Sequence, residues 1–339
     1  PSHPATGELC ARAIDNAIRK SGMPAGTFSL LQGVTLELGA ELVQHPAVKA
    51  VGFTGSEGGG RALMDLAAAR PEPIPVYAEM GSVNPVFLGP QTLAKSGDAI
   101  AAGLTGSVCI GTGQFCTSPG LAIMLEDEAF EQAMRNAMDA APRGYLLNPG
   151  IRGALAAGLE RLSTIEGVDW LNKADFDDDS MTPPNAVFRT TGDVFLREVS
   201  LSQEVFGPVT LLVVCADEAQ MLEVGASLSG NLTGSIHADD DPELARAVMT
   251  VLEDRVGRII CSGYPTGVEV CPSQQHGGPY PSSSVSWATS VGAGAIVRFA
   301  RFIAYQDTPD HLLPAALQNA NPLDMFRSVD GQLTQATIE

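Results

Sequence analysis

An α/β fold built around parallel strands is what this 339-residue sequence predicts. Short β-prone runs alternate with helical segments of ordinary length, the pattern of βαβ units. A Gly-rich turn follows one strand and opens a helix. Val209 to Cys215 is the strongest strand of the chain.

The first element is a helix from about Thr6 to Ser21, because Leu9, Ala13, Ile14, Ala17 and Ile18 recur near the helical period. Thr6 reads as its N-cap, Glu8 lies in its first turn, and Gly22 and Pro24 stop it. Phe28 to Leu31 reads as a short buried strand. Leu36 to Gln44 is helical and ends before Pro46. Val48 to Thr54 is a strand, followed by the Gly-rich turn and a helix from about Gly60 to Ala69. Ile74 to Glu79 and Pro85 to Leu88 are strands, with an Ala/Gly-rich helix from about Asp98 to Cys109. Strand Leu121 to Leu125 and helix Glu128 to Ala140 come next. After Val209 to Cys215 the alternation runs through helix Glu218 to Leu228, strand Gly234 to His237, helix Pro242 to Val251 and strand Arg258 to Cys261. Asp175 to Asp179 is a solvated acidic loop without calcium-loop spacing. The polar stretch from about Asp330 to Glu339 is a loose terminus or an oligomer contact.

Composition narrows the function. An apolar content of 45% suits a globular protein. A net charge of −19 argues against nucleic acid, whose phosphates need Lys and Arg, and against anionic lipid. No apolar run has the length of a membrane span. The six cysteines form no C-x-x-C pair and no zinc-finger spacing, which predicts reduced, mostly buried thiols in a cytoplasmic protein and no metal site. Cys10, Cys109, Cys215 and Cys261, inside apolar periodic segments, read as small core residues. The start Pro1-Ser2-His3-Pro4 lacks Met and suggests a fragment or processed product.

Two residues carry the strongest chemical signal. Cys116 lies beyond a helix in the Gly-rich turn Gly111 to Cys116, where a thiol surrounded by backbone N–H groups can ionise and attack a carbonyl. The alternative is a small buried hydrophobe. Glu79 ends a strand, either as an exposed carboxylate or as a base at the carboxyl edge of a parallel sheet. A thiol nucleophile and a carboxylate base are the groups needed to make and hydrolyse a thioester. Phe53 to Arg61 follows a strand and opens a helix, so its backbone suits a phosphate or Ser56 simply caps the helix. Glu204-Val205-Phe206-Gly207-Pro208 offers a carboxylate and an aromatic for a ribose and a flat ring, or is only a turn.

Together these segments resemble the aldehyde dehydrogenase superfamily in order and spacing. Its F-T-G-S turn is Phe53 to Ser56, and its glutamate motif is Glu79-Met80-Gly81-Ser82 followed by Asn84-Pro85. Its G-Q-x-C motif is Gly113 to Cys116, and its E-x-F-G-P is Glu204 to Pro208. The wording around Ala78 to Met80, Phe115 to Gly120 and His276 to Pro281 resembles the α-ketoglutaric semialdehyde (2,5-dioxovalerate) dehydrogenase branch.

The resemblance implies an aldehyde dehydrogenase-like α/β fold. Residues 1–78 would be the back half of a Rossmann-like cofactor domain, 79–290 the catalytic domain and 291–339 a C-terminal segment able to form an oligomer contact. It implies NADP or NAD as cofactor. No acid stands at Pro1-Ser2, where many NAD-preferring members carry a Glu that repels a 2′-phosphate. Cys116 would form the thioacyl-enzyme and Glu79 activate the hydrolytic water. Gly55, Ser56 and Gly60 would contact the pyrophosphate, Met80 the carboxamide, Glu204 the nicotinamide ribose and Phe206 the ring. The substrate would be an aldehyde, with 2,5-dioxopentanoate yielding 2-oxoglutarate, in a homodimer or tetramer.

The resemblance implies that the family's N-terminal part, on the order of 150 or more residues, is missing. With it go the Lys for the adenosine ribose and the Asn that completes the oxyanion hole, whose loss costs about 10²–10³ in rate. The isolated piece is therefore expected to be inactive or nearly so, with the missing segment or a second chain supplying the rest. Two rivals follow from the same residues. One is a truncated paralogue acting as an assembly module. The other is a Cys-dependent hydrolase with His276 as base.

Overall fold

A computed structural model of the chain describes residues 3–177, 180–267 and 269–338. It divides into two compact units, one running to Arg298 and the other starting at Phe299.

In the first unit the order is α1 (Pro4–Ser21), α2 (Leu36–Gln44), β1 (Val51–Thr54), α3 (Glu57–Ala68), β2 (Val76–Glu79), β3 (Val86–Leu88) and α4 (Pro90–Cys109). Then follow β4 (Leu121–Leu125), α5 (Glu128–Ala140), α6 (Pro149–Thr164), β5 (Val168–Trp170), β6 (Ala186–Thr191), α7 (Gly192–Arg197) and β7 (Val209–Cys215). The unit closes with α8 (Glu218–Ser227), β8 (Asn231–His237), α9 (Pro242–Glu253) and β9 (Val256–Cys261). β1 and β2 pair in parallel as a small sheet. The large sheet runs β5-β6-β7-β4-β3-β8-β9, parallel except for the antiparallel edge strand β5.

Side chains alternate across that sheet, and each face has its own core. Phe87, Ile123, Phe188, Leu211 and Val213 pack on one side with α6, α8 and α9. Val86, Leu88, Ala122, Met124, Val187 and Leu212 pack on the other with α4 and α5. Every residue of β7 is buried, so it reads as one continuous apolar run. α1 buries none of its residues. The second unit holds short 3₁₀ turns and an antiparallel hairpin of β10 (Arg327–Val329) and β11 (Gln332–Thr334). Asp330 and Gly331 join them with φ of 48° and 80°, the positive values of a type I′ turn.

Several expectations are corrected. Helix α1 starts at Pro4 rather than with Thr6 as cap, because proline's fixed φ suits the first helical turn and Thr6 falls inside the helix. Phe28 to Leu31 forms no strand: no neighbouring strand offers it an edge among the described residues, and Phe28, Leu30 and Leu31 are exposed. Cys10 and Cys261 are exposed and Cys109 half-buried; only Cys215 of that set is a core residue. Part of the polar terminus forms a strand, since Asp330-Gly331 can take the turn that pairs β11 with β10. The helix expected from Asp98 begins at Pro90, with a break in helical geometry at Ser96. Of the acidic loop, Asp178 and Asp179 lie outside the described residues, as do Pro1 and Ser2.

The core makes a direct prediction. Leu212, fully buried in β7, should cost about 2–5 kcal/mol when truncated to alanine. Denaturant unfolding of the intact protein would show this as a lower midpoint with little change in slope.

Candidate active site

β2 delivers Glu79 as its last residue, and a segment from the far end of the unit is stitched alongside it. Ala78 N–H donates to Ser284 Oγ at 2.8 Å, Ser284 N–H to the Ala78 carbonyl at 2.9 Å, and Met80 N–H to the Ser282 carbonyl at 2.8 Å. This zipper carries His276 and Ser290 to the carboxylate. Ser290 N–H donates to the His276 carbonyl at 2.7 Å, and His276 N–H to Thr289 Oγ1 at 2.9 Å. His276 Nε2 then lies 3.3 Å from Glu79 Oε1 and 3.3 Å from Cys116 Sγ, while the Ser290 hydroxyl donates to Glu79 Oε2.

Cys116 reaches this point from α4 through a tight 3₁₀ turn, Ile110–Gly113. Gly111, Thr112 and Gly113 all have positive φ. At Gly113 (φ 66°) a Cβ would also stand 2.1 Å from the Gly207 carbonyl carbon, so only glycine lets the turn close on the 204–208 segment. Gln114 holds the outer side: Leu147 N–H donates to its Oε1 at 2.8 Å, and its Nε2 donates to the Gly111 carbonyl at 2.9 Å. Fully buried Asn84 holds the inner side, its Nδ2 donating to the carbonyls of Cys116 at 3.0 Å and Ser118 at 2.9 Å.

The electrostatics are asymmetric. Burial alone would favour protonated Glu79, but hydrogen bonds from His276 and Ser290 outweigh it and hold the carboxyl below its usual range. An ionised Glu79 fixes the imidazole hydrogen on Nε2, because the other tautomer would set a lone pair against a carboxylate. Nδ1 is left as a buried acceptor without a partner among the described residues. The Cys116 thiol is pushed up to about 12, first by burial and then by the negative charge of Glu79; its own backbone N–H pulls the other way.

Cys116 and Glu79 open on a cleft of about 670 Å³ lined also by Thr54, Gly55, Ser56, Met80 and Phe206. A second cleft of about 640 Å³ is lined by Ser56, Gly58, Gly81, Gly230 and Tyr280. Glu204 lies on both. The residue is exposed as a whole, yet burial of its carboxyl pushes it up to about 7, the Ser82 backbone N–H opposing.

The structure thus brings together Cys116, Glu79, Gly55, Ser56, Met80, Glu204 and Phe206. It does not bring Gly60 to either cleft: Gly60 is buried in α3, where a Cβ would meet Met80 Sδ at 2.4 Å and Ala78 Cβ at 3.3 Å, so the glycine lets α3 pack on β2. The Ser56 hydroxyl caps α3 by accepting from Gly59 N–H at 3.2 Å. Sequence reasoning missed Ser290, which has no local signature, and the clamping role of Asn84. The Asn-Pro pair after the glutamate motif was the signal available for the latter.

Two outcomes test the site. Asn84→Ala should lower stability by about 2–4 kcal/mol, because it orphans buried carbonyls and hydroxyls together, and should loosen Cys116 as seen by faster amide exchange over 114–120. Glu79→Gln removes the anion beside the thiol, so the Cys116 pKa should fall and its alkylation at fixed neutral pH should speed up. Slower or unchanged alkylation would contradict that electrostatic reading.

Residues 2–152 match the aldehyde dehydrogenase family profile. The chain is 47% identical over 335 residues to alpha-ketoglutaric semialdehyde dehydrogenase 2 of Azospirillum brasilense, covering 98% of this chain and 64% of that protein. It is 41% identical over 339 residues to the alpha-ketoglutaric semialdehyde dehydrogenase of Acinetobacter baylyi, with the same coverage of 98% and 64%. It therefore spans under two thirds of these relatives' length. A bifunctional proline utilization A protein shares the fold with TM-score 0.71 and 22% identity over 86% of this chain and 30% of that one. The NADP complex of glyceraldehyde-3-phosphate dehydrogenase from Methanocaldococcus jannaschii does so with TM-score 0.68 and 21% identity over 83% and 60%. The thiol, the carboxylate and the 110–113 turn thus all lie within the residues that match the aldehyde dehydrogenase family profile.

Proposed function

We propose that this chain is the catalytic part of an NAD(P)-dependent aldehyde dehydrogenase that turns an aldehyde into a carboxylic acid through a thioester on Cys116. The observation that carries the reading is the convergence of the Cys116 sulfur and the Glu79 carboxylate on one cleft. The two relatives above, named for α-ketoglutaric semialdehyde, support 2,5-dioxopentanoate as substrate and 2-oxoglutarate as product. A homo-oligomer and a cytoplasmic setting belong to the same reading; six free thiols agree with a reducing compartment.

The residues on the second cleft fit a dinucleotide. The α3 N-terminus presents backbone N–H groups where a pyrophosphate would be favoured, and Glu204 offers a carboxylate to ribose hydroxyls. When bound, the nicotinamide supplies the hydride acceptor. The remaining work falls to the chain. Cys116 Sγ bonds the aldehyde carbon, its proton leaving to solvent so that Glu79 stays ionised for the later step, and the Cys116 N–H would face the oxyanion. After oxidation Glu79 takes a proton from water, whose oxygen displaces the sulfur and frees the acid. His276 and Ser290 orient that carboxylate by donating to its two oxygens.

The His276–Cys116 contact of 3.3 Å favours one rival, a Cys-dependent hydrolase. Against it, a nucleophile–His–carboxylate relay uses one imidazole nitrogen per partner, whereas here Nε2 faces both and Nδ1 faces neither.

The full-length protein, given 2,5-dioxopentanoate with NADP or NAD, should form reduced nicotinamide, and Cys116→Ser should abolish it. Glu79→Gln should release a first burst and then turn over about 10²–10⁴-fold more slowly. Activity surviving in Cys116→Ser would overturn the mechanism. Strong activity on a plain aliphatic aldehyde but none on 2,5-dioxopentanoate would overturn the substrate alone.

A further inference from the structure

We infer that Cys116, His276 and Glu79 form a capture site for a soft or borderline divalent cation, Zn²⁺ above all, which blocks the thiol reversibly. One ligand atom from each residue lies within 4.8 Å of the other two. The Cys116 Sγ to His276 Nε2 and His276 Nε2 to Glu79 Oε1 separations are both 3.3 Å. Tetrahedral Zn²⁺ with a sulfur at about 2.3 Å and nitrogen or oxygen at about 2.0–2.2 Å sets its ligands about 3.4–3.6 Å apart. Two edges of the tetrahedron are therefore nearly in place, and the third closes by small side-chain rotations.

The direction of the imidazole singles out a cation. One nitrogen faces both the sulfur and the carboxylate, so one ligand atom from each residue points at a common centre instead of forming a chain, once the hydrogen on Nε2 has moved to Nδ1. Thiolate, imidazole and carboxylate are the mixed set that zinc accepts, and the fourth position opens on the cleft. Charge agrees as well: thiolate and carboxylate together neutralise a divalent ion, so the complex adds no net charge to a buried place. The Ser290 hydroxyl, donating to Glu79 Oε2, leaves Oε1 for the metal.

Binding forms the Zn–S bond, releases the thiol proton to solvent and moves the imidazole hydrogen from Nε2 to Nδ1; nothing is oxidised or reduced. Nδ1 has no acceptor to receive that hydrogen, and a missing partner of this kind weakens metal sites about 10–100-fold. The site is thus a reversible trap that a chelator empties, not a structural zinc.

The test uses the intact protein, chelator-treated and then titrated with Co²⁺ alone. One Co²⁺ per chain should give a thiolate-to-cobalt charge-transfer band, absent in Cys116→Ser. Zn²⁺ should displace the cobalt and shield Cys116 from alkylation, and EDTA should restore reactivity. His276→Ala, or His276→Gln if the alanine variant does not fold, should raise the Zn²⁺ needed for half-protection at least tenfold. No band at stoichiometric Co²⁺ would overturn the inference, as would a band that survives Cys116→Ser or protection unchanged in both His276 variants. Neither aldehyde nor dinucleotide enters these measurements, so the metal site and the dehydrogenase reading stand or fall separately.

Discussion

Everything at the candidate site depends on one buried amide. Asn84 adopts a positive φ of 46°, which turns its side chain under the nucleophile loop. Its Nδ2 donates to the Cys116 and Ser118 carbonyls, and Thr233 Oγ1 donates to its Oδ1 at 2.9 Å. A second amide supports it: Val83 N–H and Asn84 N–H donate to Asn231 Oδ1 at 2.8 and 3.3 Å. Both partners on this side, Asn231 and Thr233, belong to β8. The thiol loop is thereby referenced to the large sheet through hydrogen bonds that no water can replace, since Asn84, Asn231 and Thr233 are all buried. Glu79 is referenced to the small sheet through β2. Cys116 and Glu79 are thus held by different sheets and meet because the 276–290 segment packs along β2 and carries His276 between them.

The sequence made the scaffold legible where its patterns are local. β4, β7, α2 and α5 lie where apolar runs and caps put them, because each is a period within a few residues. α6, β5, β6 and α7 escaped reading. α6 has only a weak apolar stripe, although Asn148 caps it by accepting from Ile151 N–H at 2.9 Å and Pro149 starts it. β5 is a three-residue edge strand and β6 follows two prolines, so neither stands out before its partner β7 is in place.

At the site, legibility follows sequence distance. Cys116 and Glu79 sit in short motifs with their own turn chemistry. His276 lies 160 residues from Cys116 and Ser290 lies 211 from Glu79, and no periodicity spans such gaps. Gly60 shows that a glycine can serve packing as well as a turn. A glycine in a Gly-rich turn suggests a phosphate, but its lost Cβ serves the close approach of α3 to β2. Spacing alone cannot separate those two uses of glycine; the neighbour decides.

Resting electrostatics then explain why so exposed a chemistry can stay quiet. The thiol has Glu79 on one side and feels Glu204 more weakly from another, and both charges raise it beyond what burial does. A thiolate there would set a second negative charge beside the ionised Glu79. Positive charge brought into the cleft reverses that balance, because it interacts with a thiolate but not with a thiol. An oxidised nicotinamide ring and a divalent cation both qualify, and they differ in consequence. The ring would form no bond to the sulfur and so would leave it free to attack, whereas the cation would bond it directly. On the proposed reading, the same anionic surroundings that keep the Cys116 thiol protonated at rest would let one kind of positive partner activate it and another silence it.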